Sequence, residues 1–386
     1  MHDYMPYCAI GVFYVIILYS KYNTLIMPKT THQDLIKLGN MLGANKTFDR
    51  GICCGYTLAW VHAILANDEK TFYERLQLIA DYKDDFKRLK ADINEIRSIV
   101  QNGGKPTTEQ RKILDIPAFF ERVWLHQAPH NYPEAFNGLY LSQLDFTQIT
   151  PFTQPTSIEQ HKQLNILLNH CIVGDQDRLL SYFSTLAPLL KTSPMICPIA
   201  VHFADHTIGV KYNSHNDTWI YSDSNDLARF PENENFYLVL NTQELVRNLF
   251  AMHKDKIVTL GLSILANEIN TAFNRKLQLF ADKFPIDTTN VHWADSQNAT
   301  ILYMATFMGN ISLVKKALAC QANVNQTCNK GETPLFIACA NGHTEILKEL
   351  LKNPGIDINK AQTSGTTPLY IACQNGHIEI VKVLLE

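Results

Sequence analysis

Gly331-Glu332-Thr333-Pro334-Leu335 recurs as Gly365-Thr366-Thr367-Pro368-Leu369, and Asn341-Gly342-His343 recurs as Asn375-Gly376-His377. In both pairs the spacing is 34 residues. A chain that repeats itself at such a period is built from supersecondary units that bury their apolar faces only against neighbouring copies. The residue types fit that mechanical demand. Thr-Pro opens a first helix, because proline in the first turn gives up an N–H that has no intrahelical acceptor. Ala338 and Ala372 are small where paired helices approach. Gly342 and Gly376 suit the tight turn between them. The stripes Ile346, Leu347, Leu350, Leu351 and Ile378, Ile380, Val381, Leu384 then bury between copies.

A degraded third copy starts near Ala299, with Leu302, Ala305, Gly309-Asn310, Leu313-Val314 and Ala322-Asn323-Val324-Asn325. The motif resembles the ankyrin repeat, whose period is about 33 residues. The extra residue falls in Asn353-Pro354-Gly355, where a loop insertion costs little. The resemblance implies three ankyrin repeats over residues 296–386, an all-α solenoid that binds a protein partner through its turn tips and concave face. Lys330 and Gln362, at tips that differ between copies, are the candidate protein-binding residues. Cys339 and Cys373 hold equivalent positions and are expected to be small buried residues, while His343 and His377 buttress turns. The sequence stops at Glu386 inside a second helix, so the last repeat is expected to be truncated.

A second signal lies far upstream. In Gly51-Ile52-Cys53-Cys54-Gly55-Tyr56-Thr57-Leu58-Ala59-Trp60-Val61, apolar residues from Leu58 onward recur at helical spacing. A thiol in the first turn of that helix faces the positive end of the backbone dipole and unpaired N–H groups, which favour an anionic sulfur and can receive an oxyanion. Neighbours on a helix point about 100° apart, so only one of Cys53 and Cys54 faces a cleft. Downstream, His206 opens a strand-forming run, Thr207-Ile208-Gly209-Val210. Asn213 to Asp217 reads as a hairpin turn, Trp219-Ile220-Tyr221 as the return strand, and Asp223 stands at its end. Antiparallel pairing brings such residues within hydrogen-bond range, where a carboxylate can orient the imidazole and favour its cation. His202 is the competing histidine.

These segments resemble the YopT-like cysteine peptidases of the papain superfamily, enzymes that bacteria inject into host cells. Gly51, Cys53, Gly55, Thr57 and Trp60 fall on the family's nucleophile pattern. The resemblance implies Cys53 as nucleophile, His206 as base and Asp223 as the orienting acid. The family's acid begins Asp-Pro-Asn, whereas this chain reads Asp223-Ser224-Asn225. An amide donor to the oxyanion precedes the family's nucleophile by a few residues; the nearest candidate here is Asn45. Together with the repeats, the pattern resembles secreted ankyrin-repeat effectors of intracellular bacteria such as Legionella. It implies a protein substrate, peptide or isopeptide hydrolysis, and residence in the host cytoplasm or nucleus. A catalytically inactive protease-like scaffold, and a deamidase or transglutaminase using the same triad, are the alternatives.

Composition narrows the remaining classes. A formal net charge of −3 gives no general attraction to nucleic acid. Nine cysteines without paired spacing argue for a reducing compartment and against a zinc site or disulfide scaffold. No cofactor or metal motif is present; Gly103-Gly104-Lys105 lacks phosphate-loop spacing. The apolar run from Tyr7 to Tyr19 is too short to span a bilayer, and Met27-Pro28-Lys29 looks the more natural start.

The expected architecture is α+β. An uncertain segment 1–27 precedes a papain-like cysteine-peptidase domain over 28–290, with a helical insertion about 68–190, and then come the repeats. Within the insertion, 81–100 reads as an amphipathic helix buried through Phe86, Leu89, Ile93, Ile96 and Val100, and 166–190 as one or two further helices. Ile257 to Leu260 is legible as strand or helix.

Overall fold

A computed structural model describes residues 31–42, 51–129, 133–136, 164–227, 236–252 and 256–386. The N-terminal run Tyr7–Tyr19 and the start at Met27 lie outside these residues. Helices α1 (His32–Met41), α2 (Cys53–Leu65), α3 (Glu69–Asp81), α4 (Phe86–Gln101) and α5 (Thr108–Gln127) come first. Strand β1 (Asn165–Gly174) and helix α6 (Gln176–Lys191) follow, then β2 (Ile199–His202), β3 (Thr207–Asn213), β4 (Thr218–Ser222), β5 (Leu238–Leu240), α7 (Thr242–Ala251), β6 (Val258–Ala266) and α8 (Thr271–Ala281). The repeats supply α9 (Ile301–Phe307), α10 (Ile311–Ala319), α11 (Pro334–Asn341), α12 (Thr344–Leu351), α13 (Pro368–Gln374) and α14 (Ile378–Leu385).

The six strands form one sheet in the order β1-β6-β2-β3-β4-β5, every neighbouring pair antiparallel. Both of its faces are covered. Along β6, Val258, Leu260, Leu262, Ile264 and Ala266 join Leu179, Leu186, Leu249 and Phe280 of α6, α7 and α8 in one core. Leu265 turns to the opposite face, with Ala200 and Ile220, beneath α2 and its neighbours. Burial on both sides explains why 166–190 misleads as a helical stretch. Residues 165–174 form a strand without polar alternation, and only 176–191 is helix. The ambiguous Ile257 to Leu260 resolves into β6 for the same reason.

Helix α2 is buried from Cys54 through Ile64, so it is the central helix of its layer rather than a surface one. Two glycines let it pack this closely. A Cβ on Gly55 would overlap the Val123 carbonyl of α5, and one on Gly209 would overlap the Trp60 ring. Trp60 Nε1 donates to Tyr73 Oη at 2.7 Å, satisfying the indole inside the core. Helix α4 buries Phe86, Leu89, Ile93 and Ile96 as its spacing predicts, but Val100, at 45% exposure, leaves the stripe in the last turn.

In the repeats, Thr300, Thr333 and Thr367 cap α9, α11 and α13 through their hydroxyls, and prolines 334 and 368 stand in the first turn. Gly342 takes a left-handed φ of +78° at the end of α11. His343 Nε2 lies 3.4 Å from the Phe307 carbonyl and His377 Nε2 3.2 Å from that of Ala340, so each ring bonds back to the preceding copy. Cys339 is buried as its position in the repeat predicts, whereas Cys373, at the equivalent position in the next copy, is exposed.

The first repeat is seated on the sheet. Cys171 and Val173 of β1 share a core with Leu302, Met304 and Met308. A Cβ on Gly261 would lie 2.6 Å from Met308 Sδ. Asn169 Nδ2 donates to the Met308 carbonyl at 2.9 Å, and Asn310 Nδ2 returns a bond to the Asn169 carbonyl at 2.7 Å. The sheet thus gives the stack the apolar neighbour that a terminal repeat otherwise lacks.

Candidate active site

The site is assembled at the start of α2 and the ends of β3 and β4. Gly51, with φ at +89°, turns the chain into α2, a backbone conformation that side chains resist. Ile52 offers no side-chain cap, so the first-turn N–H groups of α2 lack that partner. The third of them, on Gly55, donates to Gln127 Oε1 at 3.0 Å. Cys53 is the first helical residue and is half-buried; Cys54 is buried. Burial, then the neighbouring Cys53, pushes the Cys54 thiol well above its ordinary range. Of the two, only Cys53 is open to a reagent.

His206 precedes β3, and Asp223 follows β4. The hairpin register pairs Gly209 with Ser222, which brings the ends carrying these two residues together. His206 Nε2 donates to Asp223 Oδ1 at 2.8 Å, with both residues buried. The Asn225 N–H also donates to Oδ1, at 2.8 Å, and Tyr221 Oη to Oδ2 at 3.1 Å. Burial alone penalises the Asp223 carboxylate, but the His206 bond and charge and these two donors outweigh it, holding its pKa below the ordinary value. Burial likewise penalises the His206 cation. The hydrogen bonds to Asp223 and Cys53, and the charges on both, overcome it and raise the imidazole to about 10. Because Nε2 is taken by Asp223, Nδ1 is the ring nitrogen left for Cys53.

His202 is excluded from this cluster. It is enclosed on β2, with Nδ1 3.2 Å from Thr207 Oγ1, and burial lowers its pKa to about 3. Thr57 Oγ1 donates to the Thr207 carbonyl at 3.1 Å, tying α2 to the strand that follows His206. Asn45, the oxyanion candidate, lies outside the described residues. Lys330 is an exposed tip residue whose carbonyl accepts the Thr363 N–H at 3.0 Å, while Gln362 is half-buried in the adjoining turn.

One neighbour was not foreseen. His32, at the start of α1, places Nδ1 3.0 Å from Ser224 Oγ. Burial, then the positive charge of His206, lowers its pKa, against the raising effect of Asp223. Nothing in the spacing marks it, since it lies on a separate helix.

Among the described residues no group of three or more His, Cys, Asp or Glu side chains is arranged to hold a metal ion, and no helix is long and apolar enough to cross a membrane. No curated protein matches the chain. Residues 301–386 match the family described as ankyrin repeats, in three copies; the C-terminal stack on the sheet is therefore an ankyrin array.

Proposed function

We propose that the chain is a papain-like thiol hydrolase whose ankyrin array holds the protein it acts on. The observation that carries this reading is the buried His206–Asp223 pair, bonded at 2.8 Å, at the start of a strand tied through Thr57 and Thr207 to the helix that opens with the half-buried Cys53. An imidazolium beside a sulfur favours attack by thiolate. In the reaction, the Cys53 sulfur adds to a peptide or isopeptide carbonyl. His206 then gives its proton to the departing amine, leaving a thioester on Cys53. Water adds to the thioester, His206 takes its proton, and the carboxylic acid leaves as the thiol is restored. Asp223 keeps the ring oriented and stabilises its charge throughout. An amine in place of water gives transamidation at the same site.

The repeats support a protein partner because stacked ankyrin helices build an extended recognition surface beside their core. The effector role and delivery into a host cell belong to this proposal through the resemblance of Gly51–Trp60 to the injected peptidases.

The test compares lysates of a candidate host treated with the wild type or with Cys53→Ala. New protein termini, or released isopeptide-linked fragments, are expected only with the wild type. Identical peptide maps, with the same partners captured by both proteins, would leave a binding scaffold as the function.

A further inference from the structure

Two features of the site have no role in the steps above. The first is the open start of α2, where the Cys53 N–H has no intrahelical acceptor and Ile52 supplies no cap. The second is His32, held by a residue 192 positions away in sequence. Its helix begins with a capping box in which Thr31 Oγ1 accepts the Asp34 N–H at 3.1 Å and Asp34 Oδ2 accepts the Thr31 N–H at 2.8 Å. That box fixes where His32 stands. Its Nδ1 meets Ser224 Oγ, and Ser224 is itself fully buried directly after Asp223. Its other nitrogen, Nε2, lies 3.5 Å from the position of a Cβ on Gly51, two residues before the nucleophile. The ring therefore spans from the acid's turn to the nucleophile's turn.

We propose that His32 is the second oxyanion donor of the site, acting with the backbone N–H of Cys53. This rests on the acyl-transfer reading of Cys53 and His206. Ser224 Oγ–H donates to Nδ1, which leaves the proton on Nε2, the nitrogen facing the start of α2. When the Cys53 sulfur bonds to a carbonyl carbon, the C=O π pair moves onto oxygen. That oxygen is received by the Cys53 N–H and His32 Nε2–H. When the pair returns to re-form C=O, the bond to the leaving group breaks. A neutral imidazole suits this role, because it donates without bringing a second cation against His206. The serine at position 224, where the resembling family has proline, becomes the residue that sets the His32 tautomer.

The experiment separates a step that forms an oxyanion from one that does not. p-Nitrophenyl acetate acylates a thiol through a tetrahedral oxyanion, read as the p-nitrophenolate burst. Iodoacetamide alkylates the same sulfur by displacing iodide, with no oxyanion formed. In the full chain, His32→Phe is expected to slow the burst about 100-fold, the loss typical of one oxyanion donor. Its alkylation rate at Cys53 should stay within about twofold of wild type. His32→Gln restores an N–H donor and should recover about tenfold of the burst rate. Ser224→Ala, which keeps the ring but frees its tautomer, should slow the burst and spare alkylation, and it stands in should His32→Phe fail to fold. A wild-type burst rate in His32→Phe overturns the assignment while leaving the triad intact. Equal loss of burst and alkylation also overturns it, because His32 then only supports the Cys53–His206 geometry. A wild type that shows no preference for Cys53 in alkylation removes the acyl-transfer reading itself, and His32 falls with it.

Discussion

The indole of Trp60 fills the space that a Cβ on Gly209 would need. Trp60 lies on the helix that begins with Cys53, and Gly209 on the strand that His206 precedes. This contact, with the Thr57–Thr207 bond, ties the helix that opens with Cys53 to the strand that follows His206. Gly209→Ala is therefore expected to push β3 from α2. Overpacking of this kind costs about 1–3 kcal/mol. Urea titration should show that loss, and selective alkylation of Cys53 should fall with it. Unchanged stability and labelling would mean that helix and strand are not locked together here.

Iodoacetamide at neutral pH should modify Cys53 well before Cys54, since Cys53 is half-buried and Cys54 is enclosed. Peptide mapping after partial labelling reads the order. His206→Ala should slow Cys53 labelling by about 100-fold, the lower range for loss of a positioned base. Equal labelling of both thiols in the folded protein would remove Cys53 from its role.

The His206–Asp223 pair has a defined pH window. His206 is raised from about 6.5 to about 10, so its contribution to stability is complete below pH 6.5 and is lost as pH climbs toward 10. Asp223 is lowered, so its contribution is present above the ordinary carboxylate value of about 4 and is lost in more acid solution. The pair therefore stabilises most between about pH 4 and 6.5. Asp223→Ala should cost about 3–5 kcal/mol at pH 5.5, as expected when one member of a buried pair is removed. By pH 9.5 that difference should shrink. A gap that stays constant across this range would show that the pair is not ionised in the fold.

Met308 is a buried bolt between sheet and repeats, set against Gly261. Met308→Ala should cost about 2–5 kcal/mol. Because Cys171 and Val173 share that core, tryptophan fluorescence and circular dichroism should still report a single transition, shifted together. Separate transitions would mean that sheet and repeats fold independently. Removing residues 296–386 is accordingly a poor probe of binding, since it bares β1. Point changes at the tips are better. Lys330→Glu is expected to weaken capture of the partner while Cys53 alkylation is unchanged, since the Lys330 side chain is exposed and its backbone carbonyl still receives Thr363.

The repeats were legible because their structure is local. A cap, a tight turn and an apolar stripe lie within a few residues of each other, and the copy 34 residues later displays them again. The Cys53 helix and the His206–Asp223 hairpin were legible for the same reason, each being a short segment with its own pattern. The strand at 165–174 was not, because burial on both faces erases the alternation that distinguishes strand from helix.

By itself the sequence determined the repeat period, the start of the helix that opens with Cys53, and the strand–turn–strand that carries His206 and Asp223, all set by backbone preference over short range. Tertiary structure decided the rest. It enclosed the Cys54 thiol and left the Cys53 thiol half-buried. It brought His32 to Ser224 across 192 residues, seated the first repeat on β1 and β6, and gave Gly55, Gly209 and Gly261 their purpose as points of close approach. Such relations depend on which surfaces meet once the chain is packed, and no local pattern of residues encodes a contact between surfaces that distant parts of the chain supply.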